Sequence, residues 1–169
     1  QLLTEIDGRS WLGDLKRRVQ HYGYKYDYRA RVIDTSMFLG PLPGWAQSLA
    51  SDLQKQKVFP NIPDQLIVNE YRPGQGISAH VDCEPCFGDV IASITLGSGC
   101  TMDFTRVYGH EKFSQHLEPR SLVVMTGEAR YAWKHAIPPR KTDLLDGRRI
   151  ARGRRVSLTF RTVLLESAS

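Results

Sequence analysis

Residues 155–161 read Arg-Val-Ser-Leu-Thr-Phe-Arg, so polar and apolar side chains alternate strictly along the stretch. Alternation with a period of two predicts a β-strand whose apolar face packs against a core. The opposite face carries Arg155 and Arg161, and it is either solvated at a sheet edge or part of a polar pocket. A guanidinium can hold a carboxylate through two parallel hydrogen bonds, so this face is a candidate carboxylate-binding surface.

Other short segments of β-rich composition precede this strand, separated by the turn sequences RPGQG, GSG and EPRS. The predicted strands are residues 65–71, 89–97, 112–117, 121–126 and 155–164. Residues 140–153 carry many charges and no periodicity, so we expect a loop there.

Helices are predicted only before these strands. Trp45, Leu49 and Leu53 recur every four residues after Pro43, which suits the first turn of a helix. Ser10 is a suitable N-cap for an earlier helix. The apolar face of that earlier helix would be Trp11, Leu12, Leu15 and Val19. Helices first and strands afterwards predict an α+β domain with an antiparallel sheet or barrel.

The composition is that of an ordinary globular domain. Of the 169 residues, 41% are apolar and 24% are charged, which excludes an intrinsically disordered chain. The apolar runs are too short to cross a membrane, and the absence of an internal repeat excludes a solenoid. We therefore expect one monomeric domain over residues 1–169, without a membrane segment.

Basic residues outnumber acidic ones by 23 to 18, which gives a formal net charge of +5. The larger basic cluster is Arg140, Lys141, Arg148, Arg149, Arg152, Arg154 and Arg155, and the smaller one is Lys16, Arg17 and Arg18. Such clusters suit a polyanion such as a nucleic acid, and a solvated basic surface is the alternative.

The three cysteines, Cys83, Cys86 and Cys100, cannot all pair within one chain. Reduced thiols in a cytoplasmic protein are the simplest interpretation. Cys83 and Cys86 have C-x2-C spacing, but no second pair completes a zinc site. We therefore expect free thiols and a cytoplasmic location.

A candidate metal site begins at residues 77–82, which look like the end of a strand. His80 and Asp82 are two residues apart and would share one face, and His135 follows 55 residues later. Two imidazoles and one carboxylate form the facial triad that holds iron(II) and leaves coordination positions open. A structural histidine is the alternative for either ring.

Asn69 and Tyr71 share a face just before that site, and both are neutral hydrogen-bonding residues. They could contact a dicarboxylate. The alternative is a turn asparagine beside a buried tyrosine.

Taken together, NEYRPGQGISAHVD, ITLGSGCTMDF, RSLVVMTGEARYAWKHAI and RVSLTFR resemble the AlkB family of iron(II)- and 2-oxoglutarate-dependent dioxygenases. The ordered pattern N-x-Y, H-x-D, a distant H and R-x5-R is specific to that family and covers roughly residues 65–161. HYGYKYDY and PLPGW, further upstream, look most like the AlkB domain of the eukaryotic tRNA wobble-uridine hydroxylase.

This resemblance implies a double-stranded β-helix, or jelly roll, with flanking N-terminal helices. Residues 1–60 would form the helices and a nucleotide-recognition lid, and residues 61–169 the jelly-roll core. The implied ligands of iron(II) are His80, Asp82 and His135. The implied contacts of 2-oxoglutarate are Tyr71 and Arg155 at its distal carboxylate, Asn69 and Arg161 at its chelating end, and Ser157, where family members often carry asparagine.

Substrate contacts are expected from the lid. Tyr22, Tyr24, Tyr26 and Tyr28 recur at period two, so an extended chain would place their rings on one face, where they can stack on bases or pack half-buried. The resemblance places Tyr24, Tyr26 and Tyr28 as base contacts. It also points to Glu84, beside the triad, and to Arg106 as substrate residues, and an exposed loop carboxylate is the alternative for Glu84.

The function implied is oxidative dealkylation of N-alkylated bases in DNA or RNA, using iron(II), 2-oxoglutarate and dioxygen. A base within a duplex would have to be flipped out. Hydroxylation of a modified tRNA wobble uridine is the first alternative. A non-catalytic nucleic-acid-binding module is the second, and the intact triad and both arginines argue against it.

Overall fold

The computed structural model describes residues 1–13 and 15–165. In chain order its helices are α1 (Leu2–Asp7), α2 (Gly44–Lys55) and α3 (Gly127–Tyr131), with a 3-10 turn at Thr35–Met37. Its strands are β1 (Arg18–Tyr22), β2 (Gln65–Tyr71), β3 (Ile77–His80), β4 (Ile91–Gly97), β5 (Cys100–Arg106), β6 (Lys112–Leu117), β7 (Leu122–Met125), β8 (Trp133–Ile137), β9 (Thr142–Leu145), β10 (Arg148–Ala151) and β11 (Arg155–Arg161).

Two antiparallel sheets form the body of the domain. The larger has the order β1-β2-β11-β4-β7, and the smaller has the order β3-β8-β5-β6. Strands β9 and β10 form a separate hairpin. Most neighbours, such as β2 with β11 and β3 with β8, come from distant parts of the chain, as in a jelly roll. The predicted double-stranded β-helix is confirmed.

The outer face of the larger sheet packs against the helices. On β11, the alternate residues Val156, Leu158 and Phe160 are at most 1% exposed, and they join one apolar cluster with Ala46 and Ala50 of α2. The helix predicted after Pro43 is therefore confirmed, and it covers the apolar side of the predicted strand. Burial of a large apolar side chain is worth about 1.5–3 kcal/mol.

The other face of β11 points between the two sheets. Its residues Arg155, Ser157 and Thr159 are all buried, as are Asn69 and Tyr71 on the neighbouring β2. The polar face of the strand therefore lies inside the sandwich, not at a solvated edge. A second apolar cluster containing Tyr71, Ile91, Met102, Phe104 and Ile137 joins the two sheets around this polar strip.

The helix expected after Ser10 is wrong. The first helix lies earlier, at α1, and Arg18–Tyr22 instead forms an edge strand of the larger sheet. Arg18 lies opposite Glu70 and donates to it from Nε and Nη2, both at 2.9 Å. The sheet thus extends upstream of residue 61, and cross-strand pairing overrides the helical spacing of a few apolar residues.

The loop expected at residues 140–153 is also wrong, because this segment contains the β9–β10 hairpin. Its turn is formed by Asp146 and Gly147, whose φ angles are 49° and 76°. Aspartate followed by glycine is a strong signal for a two-residue hairpin turn. All four residues of β10 are exposed, so the hairpin presents Arg148 and Arg149 to solvent.

Among the described residues, the helices are too short or too polar to cross a membrane.

Candidate metal centre and cosubstrate site

Two paired strands bring the predicted metal ligands together. His80 at the end of β3 lies directly opposite His135 on β8, and their ring centroids are 4.3 Å apart. Asp82 follows two residues after His80 and turns its carboxylate toward both rings. One ligand atom from each of the three residues lies within 4.8 Å of the others.

The geometry of this cluster fits a bound cation. Oδ1 of Asp82 lies 3.2 Å from Nε2 of His80 and 3.4 Å from Nε2 of His135. This oxygen is buried and accepts no hydrogen bond from any described residue. Nδ1 of His80 lies 2.7 Å from the carbonyl oxygen of Ser78. Donation to that oxygen leaves the Nε2 lone pair free for a metal.

Asp82 is held in its charged form. Burial alone would raise the pKa of Asp82, but the Arg161 guanidinium and the neighbouring His135 and His80 hold that pKa well below its usual range. Nε of Arg161 donates to Oδ2 of Asp82 at 2.7 Å. One carboxylate oxygen is thereby oriented by Arg161, and the other faces the histidines.

Arg130 of α3 is a residue of the site that the sequence analysis missed. It is 2% exposed, and it donates to four backbone carbonyls in the segment that follows His80. The acceptors are Asp82 at 2.8 Å, Gly88 at 3.0 Å, Phe87 at 3.2 Å and Cys83 at 3.3 Å. Arg130 therefore fixes the backbone that carries the metal-binding carboxylate.

The expectation of three free thiols is wrong for two of them. Cys83 and Cys86 form a disulfide, and Cys100 is a buried free cysteine. The backbone between the two cysteines forms a turn, in which the amide of Cys86 donates to the carbonyl of Cys83 at 3.2 Å. This turn places the two Cα atoms 5.2 Å apart, within the usual range for a disulfide.

A polar cavity extends from the triad between the two sheets. The predicted cosubstrate residues that line it are Asn69, Tyr71, Arg155, Ser157 and Arg161. Ser93 and Thr159 also line it and hydrogen-bond to each other at 3.1 Å. The structure thus brings every predicted cosubstrate residue into one cavity with the three candidate metal ligands.

The far end of this cavity is suited to a carboxylate. Arg155 is 3% exposed, and its Nη2 donates to Oγ1 of Thr95 at 3.0 Å. Its Nε has no hydrogen-bond partner among the described residues, and neither has Nη1 of Arg161. Tyr71 is buried under the Arg155 guanidinium, and burial raises the pKa of its hydroxyl, which therefore stays protonated and able to donate. A dicarboxylate would satisfy these buried donors.

A wider cleft of about 620 Å³ opens outside the triad. Tyr26 and Tyr28 line it, with ring centroids 5.1 Å apart. The cations on its wall are Lys16, Arg17, Arg31 and Arg161. The volume is in the range of known small-ligand sites.

The structure separates Tyr22 and Tyr24 from this cleft. Gly23, with a φ of 78°, bends the chain, and a Cβ there would collide with the carbonyl of Asp64. Tyr22 consequently packs on Trp45 beside the helices, and Tyr24 packs on Phe38 at a centroid distance of 5.1 Å. The four tyrosines therefore do not form a single stripe.

Glu84 and Arg106 are also placed outside the lining of the cleft. Glu84 is exposed in the turn between the two disulfide cysteines. Arg106 donates to Glu128 at 3.0 Å, and its guanidinium lies 5.4 Å from the centroid of the Trp133 ring.

Comparison with known proteins agrees with this geometry. Residues 9–161 match the sequence model of the 2OG-Fe(II) oxygenase superfamily. The chain is 40% identical, over 96% of its length, to the "Alkylated DNA repair protein ALKBH8 homolog" of Arabidopsis thaliana. It is also 40% identical, over 87% of its length, to the "tRNA (carboxymethyluridine(34)-5-O)-methyltransferase ALKBH8" of Mus musculus.

The chain spans 54% of the Arabidopsis protein and 24% of the mouse protein. The solved structure of OsALKBH1 has the same fold, with a TM-score of 0.65 at 18% identity over 88% of this chain and 78% of that one. The chain therefore belongs to the 2OG-Fe(II) oxygenase superfamily, as an AlkB-family dioxygenase that uses iron(II), 2-oxoglutarate and dioxygen.

Proposed function

We propose that this domain removes alkyl groups from the nitrogen atoms of nucleobases in DNA or RNA. The observation that carries the proposal is that two spaces share candidate metal ligands in their walls. An outer cleft lined by tyrosine rings and cations shares His80, Asp82 and Arg161 with an inner polar cavity. A base in the outer cleft would face the metal ligands from one side, and the cosubstrate would face them from the other.

Each part of the inner site has a role in this proposal. His80, Asp82 and His135 hold iron(II). Arg155 and Tyr71 hold the distal carboxylate of 2-oxoglutarate, and Asn69, Ser157 and Arg161 support its chelating end. When bound, iron(II) and 2-oxoglutarate supply oxygen activation: one oxygen atom of O₂ enters succinate as carbon dioxide leaves, and the other is inserted into a C–H bond.

The protein's own residues position the reactants. Arg161 keeps Asp82 charged and aimed at the metal position. Arg130 fixes the backbone around Asp82. When the oxidised carbon is attached to a base nitrogen, the hydroxylated product breaks its C–N bond. The proton of the new hydroxyl group passes to the base nitrogen, which takes the electrons of the broken bond, and the carbon leaves as an aldehyde.

The outer cleft has the features of a nucleic-acid site. Tyr26 and Tyr28 offer ring faces for stacking, and a stacked base is worth about 1–3 kcal/mol. Arg17 and Arg31 on the same wall supply positive charge for phosphates. The name of the Arabidopsis relative refers to repair of alkylated DNA, which supports a damaged base as the substrate.

A second candidate keeps the chemistry and changes the base: hydroxylation of a modified uridine in the anticodon of tRNA. The mouse relative favours it, because its name gives uridine 34 of tRNA as the modified position. In this case the oxidised carbon is not attached to nitrogen, so the hydroxyl group stays on the base.

One experiment tests both candidates. Methylated oligonucleotides and bulk tRNA are incubated separately with the protein, iron(II) and 2-oxoglutarate, and the nucleosides are analysed by mass spectrometry. We expect loss of methyl groups with release of formaldehyde. The Asp82→Ala variant, which lacks the candidate metal-binding carboxylate, controls for non-enzymatic oxidation. A hydroxylated uridine in tRNA without release of formaldehyde would replace the first candidate with the second.

A further inference from the structure

Arg17 lies between the lid and the cosubstrate cavity. Its Nε donates to Oδ1 of Asn69 at 2.9 Å, and its guanidinium lies 5.7 Å from the centroid of the Tyr28 ring. The sequence groups Arg17 with two other cations, and Arg17 is the one of the three that donates to Asn69. Arg18 pairs with Glu70, and the side chain of Lys16 is exposed.

The contact with Asn69 determines which end of its amide is available. A side-chain amide has one oxygen, which accepts, and one NH₂ group, which donates. Because Arg17 occupies the oxygen, the NH₂ group is the end left for another partner. Asn69 is 8% exposed and lines both the outer cleft and the inner cavity, so that partner lies in the site.

A carboxylate can only accept hydrogen bonds, so it requires the NH₂ end of this amide. Without Arg17, the amide is free to rotate and present its oxygen to the carboxylate, which is repulsive. The hydrogen bond from Arg17 therefore selects one of two amide orientations before the cosubstrate arrives.

We propose that Arg17 is a positioning residue for 2-oxoglutarate and that it acts through Asn69. The inference rests on the proposed placement of the cosubstrate beside Asn69. It differs from a role in nucleic-acid binding, because its effect should be present when no nucleic acid is bound.

The test measures the dissociation constant of 2-oxoglutarate by calorimetry on the Mn(II)-loaded protein, without oxygen or nucleic acid. We expect Arg17→Ala to weaken binding about five- to tenfold, which corresponds to an Asn69 amide that, without Arg17, presents its NH₂ group to the site in about 10–20% of molecules. Arg17→Met, which keeps the apolar stem, should behave in the same way. Arg9→Ala removes an exposed arginine of the same N-terminal region and should leave binding unchanged.

A double-mutant cycle separates positioning from direct contact. In an Asn69→Ala background, adding Arg17→Ala should change the dissociation constant less than twofold. In the metal-free protein, the side-chain NH₂ signals of Asn69 should shift in NMR spectra when Arg17 is replaced by methionine.

Three results would overturn the inference. The first is an unchanged dissociation constant in both Arg17 variants. The second is a full additional loss in the Asn69→Ala background, which would mean that Arg17 contacts the cosubstrate itself. The third is normal binding by Asn69→Ala alone, which would also remove the proposed cosubstrate placement. Failure of the nucleic-acid substrates changes none of these measurements.

Discussion

Arg130 donates from Nη1 to the backbone carbonyl oxygen of Asp82 at 2.8 Å, although the two residues are 48 positions apart in the chain. The bond joins a short helix to the segment that presents the candidate metal carboxylate. Because the same guanidinium also reaches Cys83, Phe87 and Gly88, one buried side chain organises the whole segment.

Replacing Arg130 with methionine should therefore destabilise the domain and loosen the metal site. Each of the four hydrogen bonds is worth a net 0.5–1.5 kcal/mol, roughly, so we expect the free energy of unfolding to fall by about 2–6 kcal/mol. Urea denaturation measures this loss, and Mn(II) titration followed by electron paramagnetic resonance measures the site. Arg106→Met, which breaks a pair with exposed Glu128, should cost less than about 1 kcal/mol. Equal costs would contradict the role of Arg130.

Arg155→Ala should weaken 2-oxoglutarate binding about 10- to 100-fold, because a charged hydrogen bond is worth about 1.5–3 kcal/mol. The same calorimetric measurement on the Mn(II)-loaded protein provides the test. Thr95→Val removes only the neighbour that accepts from Arg155, and it should have an effect below about fivefold. If Arg155→Ala bound 2-oxoglutarate with unchanged affinity, Arg155 would not be the residue that holds the distal carboxylate.

The low pKa of Glu70 makes part of the free energy of unfolding depend on pH. Glu70 is 1% exposed, and its pKa is lowered from 4.5 to about 2. Hydrogen bonds from Arg18 are the main cause, burial acts against them, and a hydrogen bond from Arg154 adds to them. This difference is equivalent to at most about 3 kcal/mol, and screening around the partly exposed arginines reduces it. The folded state favours the charged form, so the contribution is complete above about pH 4.5 and is lost as the pH falls toward 2.

Glu70→Gln should consequently cost about 2 kcal/mol at pH 7, and the difference from the parent protein should shrink between pH 4.5 and pH 2. Urea denaturation at several pH values measures both quantities. Glu111→Gln replaces an exposed carboxylate and serves as the control. A difference that stays constant with pH would mean that packing, not charge, explains the loss.

Tyr26→Ala should weaken binding to a methylated oligonucleotide about 5- to 100-fold, because one stacked base is worth about 1–3 kcal/mol. Tyr108 is 91% exposed, and Tyr108→Ala is the matched control with an expected change below twofold. Fluorescence anisotropy at two salt concentrations gives both the affinity and its salt dependence. Binding should weaken steeply as salt rises, because phosphate contacts release counterions. Unchanged affinity in Tyr26→Ala would mean that the base does not stack on this ring.

The regular parts of the fold could be predicted because their patterns are local. Strict alternation marks β11 over the whole of Arg155–Arg161, and the four-residue spacing after Pro43 marks α2. The residues between Trp11 and Val19 have similar spacing, but Arg18 finds a cross-strand partner in Glu70. Because this partner is 52 residues away, a pattern read over about ten consecutive residues does not reveal the pairing.

The sequence identifies the residues that could bind metal and cosubstrate more readily than the residues that hold them in place. His80, Asp82, His135 and Arg155 follow a recognisable order along the chain, and the fold brings them into one site. Arg130 supports that site through backbone carbonyls, which any residue possesses, so no sequence pattern identifies it. The Asp146-Gly147 pair is typical of a hairpin turn, but the charged and aperiodic residues around it favoured the prediction of a loop.

The central position of β11 has a consequence for synthesis on the ribosome. This strand follows every other strand that the structure describes, yet it lies in the middle of the larger sheet, between β2 and β4. Translation proceeds from the N-terminus, so the pair β1–β2 and the pair β4–β7 cannot be joined into one sheet until residues 155–161 emerge. A nascent chain stalled before this point would expose two open strand edges and lack Arg155, so chaperone contact is expected to peak just before the strand is translated.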